Sequence, residues 1–444
     1  MNRLLLRKAI FCICCACVCT LTMVANPTPV FIPGTDTVQV DIEQAEQRLV
    51  GKSLMLLAAR YNTDIAKSEV TQARAWYNPN IVYAQTLYDP STGTWMDNNP
   101  SSGQVDVQIN QLISVAGRHI NAVRLAEIDV QKNQLAFDDL ARAVKFEMYN
   151  DLAGLYEAQQ TDVVYTTEIN ALDDVIDASL QELKLGATAG NDVIRLKAER
   201  QSDIDEKLAN LNFIESMESE LRLLLGFSGN TWLEVVKMPM PSGNIPPLDS
   251  LMQLTMKRPD VQLASTNVSW NQRNLALQRS QGVPDLLVGT EYDRRSSYVN
   301  NLWMVQAGID IPIFNRNQGN IRAAKYAVLQ AEYSDTLQQH TALSEVISSY
   351  GQFIRLRQVR DSVFVQPGVI SYKSKTDPGS YSSDIDLLFV NAVENYSKRR
   401  ISLIEFLDQL RTYEDARLGL ITLDSDYYKA AQQLNYSTGE KVIR

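Results

Sequence analysis

Val105-Asp106-Val107-Gln108-Ile109-Asn110-Gln111-Leu112-Ile113 is the stretch that decides the fold. Val105, Val107 and Ile109 alternate with Asp106, Gln108 and Asn110, a two-residue period with one oily and one wet face. The spacing predicts a strand, with a partner near Ile81–Tyr88. The pattern then returns. Leu286–Tyr292 and Trp303–Ile313 form a second pair. Trp303, Val305, Ala307, Ile309, Ile311 and Ile313 share one face, and Gln306, Gly308 and Asp310 the other. The two pairs lie roughly 205 residues apart, a period that suggests internal duplication. Each strand has about 8–11 residues, enough to cross a bilayer at barrel tilt. An open sheet in lipid leaves unpaired N–H and C=O groups, each costing several kcal/mol. Four strands per chain therefore predict a barrel assembled from several chains. Tyr88, Trp95, Tyr292, Tyr298 and Trp303 sit near strand ends, where an aromatic girdle lies.

Long helices surround these strands. Helix is predicted from Asp41 to Trp76, ending before Asn78-Pro79-Asn80, since proline removes a donor and disfavours helix before it. Arg118 to Leu185 contains no proline, and Leu140, Val144, Met148, Leu152 and Leu155 form a narrow apolar stripe. Gly186–Asn191 breaks the run. A return helix from Asp192 to Leu225 carries Val193, Leu196, Ile204, Leu208 and Leu211 on one side. Rods with so narrow a stripe must pack against partners.

The remaining chain sets the organisation. Residues 1–25 read as a secretory signal, with Arg3, Arg7 and Lys8 before an apolar run shorter than the roughly 20 residues a spanning helix needs. All five cysteines lie within it, so the mature chain has no thiol chemistry, and Cys17 after Ala16 is a candidate for lipidation. The net charge of −10 drops by three when this segment leaves, which argues against nucleic acid as a partner. An extended leader is expected at 26–40 and a first structural repeat at 41–229, with strand pair 81–113 and helical hairpin 118–225. A Pro- and Gly-rich equatorial connector comes next at 230–249. The second repeat is 250–444, with strand pair 286–313, helical hairpin 320–434 and an interruption at 366–383.

Four places carry a specific likeness. They are Arg258-Pro259-Asp260-Val261; Pro79 and Pro284, each opening a strand pair; the exits Gln111-Leu112-Ile113 to Gly117-Arg118 and Ile311-Pro312-Ile313-Phe314 to Gly319-Asn320; and Tyr396 through Ile401-Ser402-Leu403-Ile404-Glu405-Phe406-Leu407-Asp408. In these the chain resembles the TolC-like outer-membrane efflux factor family over essentially its mature length, most closely members of heavy-metal efflux systems. The resemblance implies a mixed α and β chain, mainly α. Long antiparallel helices would form a periplasmic α-barrel, and four strands would join a trimeric transmembrane β-barrel of twelve. It implies a homotrimer in the outer membrane of a Gram-negative bacterium, extending into the periplasm. There it would contact outer-membrane lipid, a periplasmic adaptor and an inner-membrane RND-type pump. The duct would be passive, exporting metal cations or small toxic compounds. A duct for type I polypeptide secretion and a non-channel coiled-coil surface protein are the alternatives.

The resemblance also implies site residues. Glu405 and Asp408, three apart on one helix face, match acids that ring the periplasmic aperture. Such a ring favours cations and raises each carboxyl's pKa by like-charge repulsion. Tyr396 and Asp192 match an aperture lock. Ile401 stands where some relatives carry a basic member of that lock, and Arg399 and Arg400 replace a glycine common in the turn, where they could instead bind nearby acids. By the same analogy the turns Gly186–Asn191 and Lys398–Ser402 are expected to contact the adaptor. No catalytic residue, cofactor or resident metal site is expected. The only histidines, His119 and His340, lie on different segments, and no phosphate loop, zinc motif or nucleophile triad is present.

Overall fold

The computed structural model describes residues 37–364, apart from 91, 101, 297 and 298, and residues 381–443. The expected signal, Cys17, most of the leader, Tyr298 and most of the 366–383 interruption lie outside the described residues. Four strands form one antiparallel sheet: β2 (Asn80–Gln85), β5 (Val105–Ile113), β7 (Leu286–Arg295) and β8 (Asn300–Ile309), in the order β2-β5-β7-β8. The chain's own two hairpins thus lie side by side, joined through β5 and β7. The last strand starts three residues earlier than expected and stops at Ile309, short of Pro312, which cannot donate to a ladder. Within the loop after β2, the short strands β3 (Tyr88–Asp89) and β4 (Thr94–Trp95) pair with each other.

Register explains the alternation. Ile109 pairs with Ile81 on one side and Thr290 on the other, and Thr290 pairs with Val305. This face is bare within the chain: Ile81 is 67% exposed and Val305 85%. The opposite face is polar and internally bonded. Asn110, Gly289 and Gln306 stand in register across three strands, and Gln306 Nε2 donates to Asn110 Oδ1 at 2.7 Å. A Cβ at Gly289 would lie 2.1 Å from Asn110 Oδ1, so only glycine fits beneath that bond. Tyr292 and Trp303 meet as tilted rings across β7 and β8, centroids 5.1 Å apart, and Tyr88 and Trp95 likewise at 5.0 Å across β3 and β4.

The helices dominate the rest. The expected first helix is two, α1 (Ile42–Lys52) and α2 (Leu54–Arg74), divided where Gly51 weakens the helix and buried Ser53 turns extended. The rod α3 (Arg118–Lys184) has 67 residues, about 100 Å at 1.5 Å each. It packs against α4 (Gly190–Leu225). Val144, Met148, Leu152 and Leu155 are buried as the stripe predicts, but Leu208 and Leu211 are exposed. The buried seam of α4 runs instead through Leu196, Asp203, Ile214 and Leu221, so those two leucines lie off its line.

The connector is less plain than its prolines suggest. It holds β6 (Trp232–Val235), which pairs in parallel with β1 (Thr37–Val40), the end of the leader. Helix side chains satisfy part of β6. Gln159 donates to the Leu233 carbonyl at 2.7 Å and accepts from Val235 N at 3.1 Å, while Glu218 accepts from Leu233 N at 3.1 Å.

The second half contains α5 (Leu248–Thr255), α6 (Pro259–Gln281), α7 (Gln318–Phe364), α8 (Tyr381–Ser397) and α9 (Leu403–Thr438). The Arg-Pro-Asp element is an electrostatic knot between them. Arg258, 2% exposed, donates to both oxygens of Asp260, to Glu345 on α7 and to the Ser437 carbonyl on α9. Arg142 on α3 approaches Asp260 at 3.4 Å. Burial alone would raise the Asp260 carboxyl; the bonds and charge of Arg258 outweigh it and hold the group below the usual range. Stability from this carboxylate is therefore present above its unfolded pKa and lost as pH falls. Arg258→Ala leaves the largely buried Asp260 with Arg142 at 3.4 Å and the bond from Gln338, so it should cost about 3 kcal/mol. Arg258→Lys should fail to restore it, since the fork bonds are bidentate. Denaturant midpoints check both; an unshifted Arg258→Ala midpoint would show the knot idle.

Candidate functional site

Two helical hairpins end at the same level, and the expected site residues gather there. Each turn is closed by the same hydrogen-bond pair. In the first, Ala187 N donates to Glu182 O at 2.9 Å and Gly186 N to Leu183 O at 3.0 Å, with Gly186 at φ 73°. In the second, Arg400 N donates to Asn395 O at 2.8 Å and Arg399 N to Tyr396 O at 2.9 Å, with Arg399 at φ 57°. This is the Schellman motif, whose left-handed residue is usually glycine. An arginine there carries roughly 1–2 kcal/mol of backbone strain.

The side chain of Arg399 accounts for its place. Its Nη2 lies 2.9 Å from Glu182 Oε1, and the other oxygen of Glu182 accepts from Thr188 Oγ1 at 2.8 Å. One carboxylate thus ties the α8–α9 turn to the α3–α4 turn. The bond from Arg399, then that from Thr188, hold Glu182 below the usual carboxylate range. Arg400 donates to Asn395 Oδ1 at 3.4 Å, and its charge reaches Glu394.

Beneath this link is an apolar core. Leu172 and Ile176 of α3, Leu196 of α4, Ala392 of α8, and Phe406 and Leu410 of α9 are buried together. Ile401 packs against them, so the position that is basic in some relatives is part of the core here. Tyr396 stacks on Phe406, with ring centroids 4.7 Å apart. Its hydroxyl shares a hydrogen bond with Ser179 of α3, and Asp192 acts on it by charge alone. Burial, then the nearby Asp192 and Glu182 charges, push the Tyr396 hydroxyl up. The structure therefore brings Tyr396 and Asp192 near each other without bonding them within one chain.

Glu405 has a local task. Ser402 Oγ accepts from Glu405 N at 3.3 Å, and Glu405 Oε2 accepts from Ser402 N at 2.8 Å, a capping box that starts α9. Those bonds lower its pKa, opposite to the rise that a ring of like charges would impose. Asp408 is exposed one turn further along. The Ser402-x-x-Glu405 spacing is a readable capping signature that the ring reading passes over; the Glu182–Arg399 bond has no comparable signature.

His119 stacks on Trp76 at 4.8 Å. Among the described residues no group of three or more His, Asp or Glu side chains is arranged to hold a metal ion. No described helix is long and apolar enough to cross a membrane.

The family model for outer membrane efflux proteins matches residues 251–361. The cobalt-zinc-cadmium resistance protein CzcC of Cupriavidus metallidurans is 21% identical over 414 residues, 93% of this chain and 92% of that protein. The outer membrane channel CmeC of Campylobacter jejuni superposes with a TM-score of 0.72 at 12% identity, over 90% of this chain and 86% of its own. CusC superposes at 0.69 and 15% identity, over 93% and 96%.

Arg399→Gly should relax the strained turn while cutting its bond to Glu182. Amide exchange should then quicken in both turns, 186–191 and 398–402. Tyr396→Phe keeps the stack and loses one neutral bond, worth about 1 kcal/mol, so its effect should be smaller. Unchanged exchange in the first turn of Arg399→Gly would show that the two turns are not linked.

Proposed function

We propose that this chain, a member of the TolC-like outer-membrane efflux protein family, is the exit duct of a tripartite efflux system. It works as a homotrimer, docked through a periplasmic adaptor onto an inner-membrane RND-type pump. The observation that carries this reading is the four-stranded sheet. Among the described residues its oily face is bare and both edges, β2 and β8, are open, on a helical rod of about 100 Å. Such a sheet needs copies of itself to close in lipid.

The likeness to a cobalt-zinc-cadmium resistance protein supports divalent metal cations as cargo. Metal would pass through the duct without a resident site, and selectivity would belong to the pump. Glu405 and Asp408 would line the aperture, where acids of three copies favour cations. Tyr396, Asp192 and the Glu182–Arg399 bond would hold it closed. An ion pair as exposed as the last contributes roughly 0.2–1 kcal/mol, so adaptor docking at the two turns could release it cheaply.

Removing the protein from its host should raise sensitivity to cobalt, zinc or cadmium, and the intact chain should restore it. Loss of a secreted polypeptide with unchanged metal tolerance would favour the secretion reading instead. In planar bilayers the purified chain should conduct, and Glu405→Ala with Asp408→Ala should weaken cation selectivity. Unchanged selectivity would remove the acids from the aperture, and absence of any conductance would overturn the duct.

A further inference from the structure

A second acidic group lies one helical turn from the tip core, inside the wall. Glu168 sits on the buried stripe of α3, four residues from Val164 and four from Leu172. It is 0% exposed, and neither of its carboxyl oxygens has a hydrogen-bond partner. Asp203 of α4 is also buried, with Oδ2 unpartnered. The charges acting on Glu168 are all acidic: Glu414 of α9 first, then Asp203, Glu206 and Glu199 of α4. Glu414 of α9 is half-buried, and the charges of Glu206 and Asp203 stand against it. Tyr165 Oη donates to Glu206 at 3.1 Å.

Cations on the same elements are engaged elsewhere. Arg411 of α9 donates two bonds to Glu199, at 2.7 and 2.8 Å, and its charge reaches Asp203. Lys207 of α4 bonds Thr166 and faces Asp162. Arg417 of α9 lies 3.7 Å from Asp386 of α8, which in turn faces Tyr413 together with Glu168. Asp415 adds further negative charge against Glu414.

We propose that Glu168 and Asp203, buried, with half-buried Glu414 beside them, form a proton-binding site that holds α9 against the α3–α4 pair and loosens as its protons leave. The carboxyls do not converge on one point as metal ligands would. One protomer already buries Glu168 completely, so added copies cannot bring it water. A proton is the occupant that neutralises it in place. Burial, then the neighbouring acids, push Glu168 up to about 9, Glu414 up to about 7 and Asp203 up to about 6. These folded values lie above the unfolded ones. The stabilisation is therefore complete below about pH 4, where the unfolded carboxyls are also protonated. It is lost as pH rises through the folded values. Each pH unit in that interval costs the folded state roughly tenfold per proton held. Leu172 belongs to the tip core, so separation at Glu168 loosens the packing under both turns.

The test uses the full-length chain in detergent. Its thermal midpoint should fall as pH rises from 6 to 9.5. Glu168→Gln, which copies the protonated shape, should flatten that fall and melt higher than the parent at pH 9.5. Parallel profiles for parent and variant would overturn the proposal. Infrared spectra of the parent alone give a second reading that needs no variant. A protonated-carboxyl band should be present at pH 7 and lost by pH 10; its absence at pH 7 would also overturn the site. If EDTA lowered the parent's midpoint and zinc restored it at pH 9, a metal would be the occupant and the proton reading would fall.

Discussion

Every backbone N–H and C=O placed in lipid must find a partner, and this chain leaves two rows of them open. Among the described residues the outer sides of β2 and β8 have no strand beside them. In water such edges invite aggregation; in a bilayer each unmet group costs several kcal/mol. Closure with further copies removes both problems at once. It also sets the arrangement of the helices. Copies placed around one axis bring their helical rods into a ring. A rod of 67 residues with a narrow buried seam then gains the neighbours that the exposed Leu208 and Leu211 of its hairpin lack within the chain.

Period and punctuation made much of this readable. The two-residue alternation from Val105 to Ile113 named its strand to the residue, and the long run without proline located α3 within one position. Short or two-sided features were harder. The strand Trp232–Val235 has four residues, too few for a period, and it is defined by Thr37–Val40 far away in sequence. Its neighbouring prolines correctly signalled a break in helix and masked the pairing. The sequence likeness picked out Arg258-Pro259-Asp260, but its physical task as a knot across α3, α6, α7 and α9 needs the packed helices.

At the tip, the residues singled out from the sequence lie near one another, and local packing and capping give some of them further tasks. Arg399 was recognisable as an odd residue for a turn that commonly holds glycine. Its partner was not, because Glu182 is one acid among many on an exposed helix face. Glu405 carries two readings of one residue. Three-residue spacing from Ser402 makes it a helix start, and three-residue spacing to Asp408 makes it half of an acidic face. The first task lowers its pKa and orients it; the second concerns copies beyond one chain. A carboxylate tied by its cap is held in one direction, which is also what a charged constriction requires.

The two kinds of ionic contact differ in how firmly they hold. Around Arg258 the guanidinium and Asp260 are largely out of water and multiply bonded, so breaking their contact strands a charge, and the helices joined there are held firmly. Between Glu182 and Arg399 both side chains keep much of their hydration, and opening costs little. If the chain is the passive duct proposed, it has no chemical step to drive its opening, and only the binding energy of a partner would be available. Movement must then be confined to contacts weaker than that energy, while the rest stays shut. The Glu182–Arg399 bond would satisfy this by exposure. The acids at Glu168 could satisfy it differently, because a buried seam that is firm when protonated and weak when charged changes its strength without any change of partner.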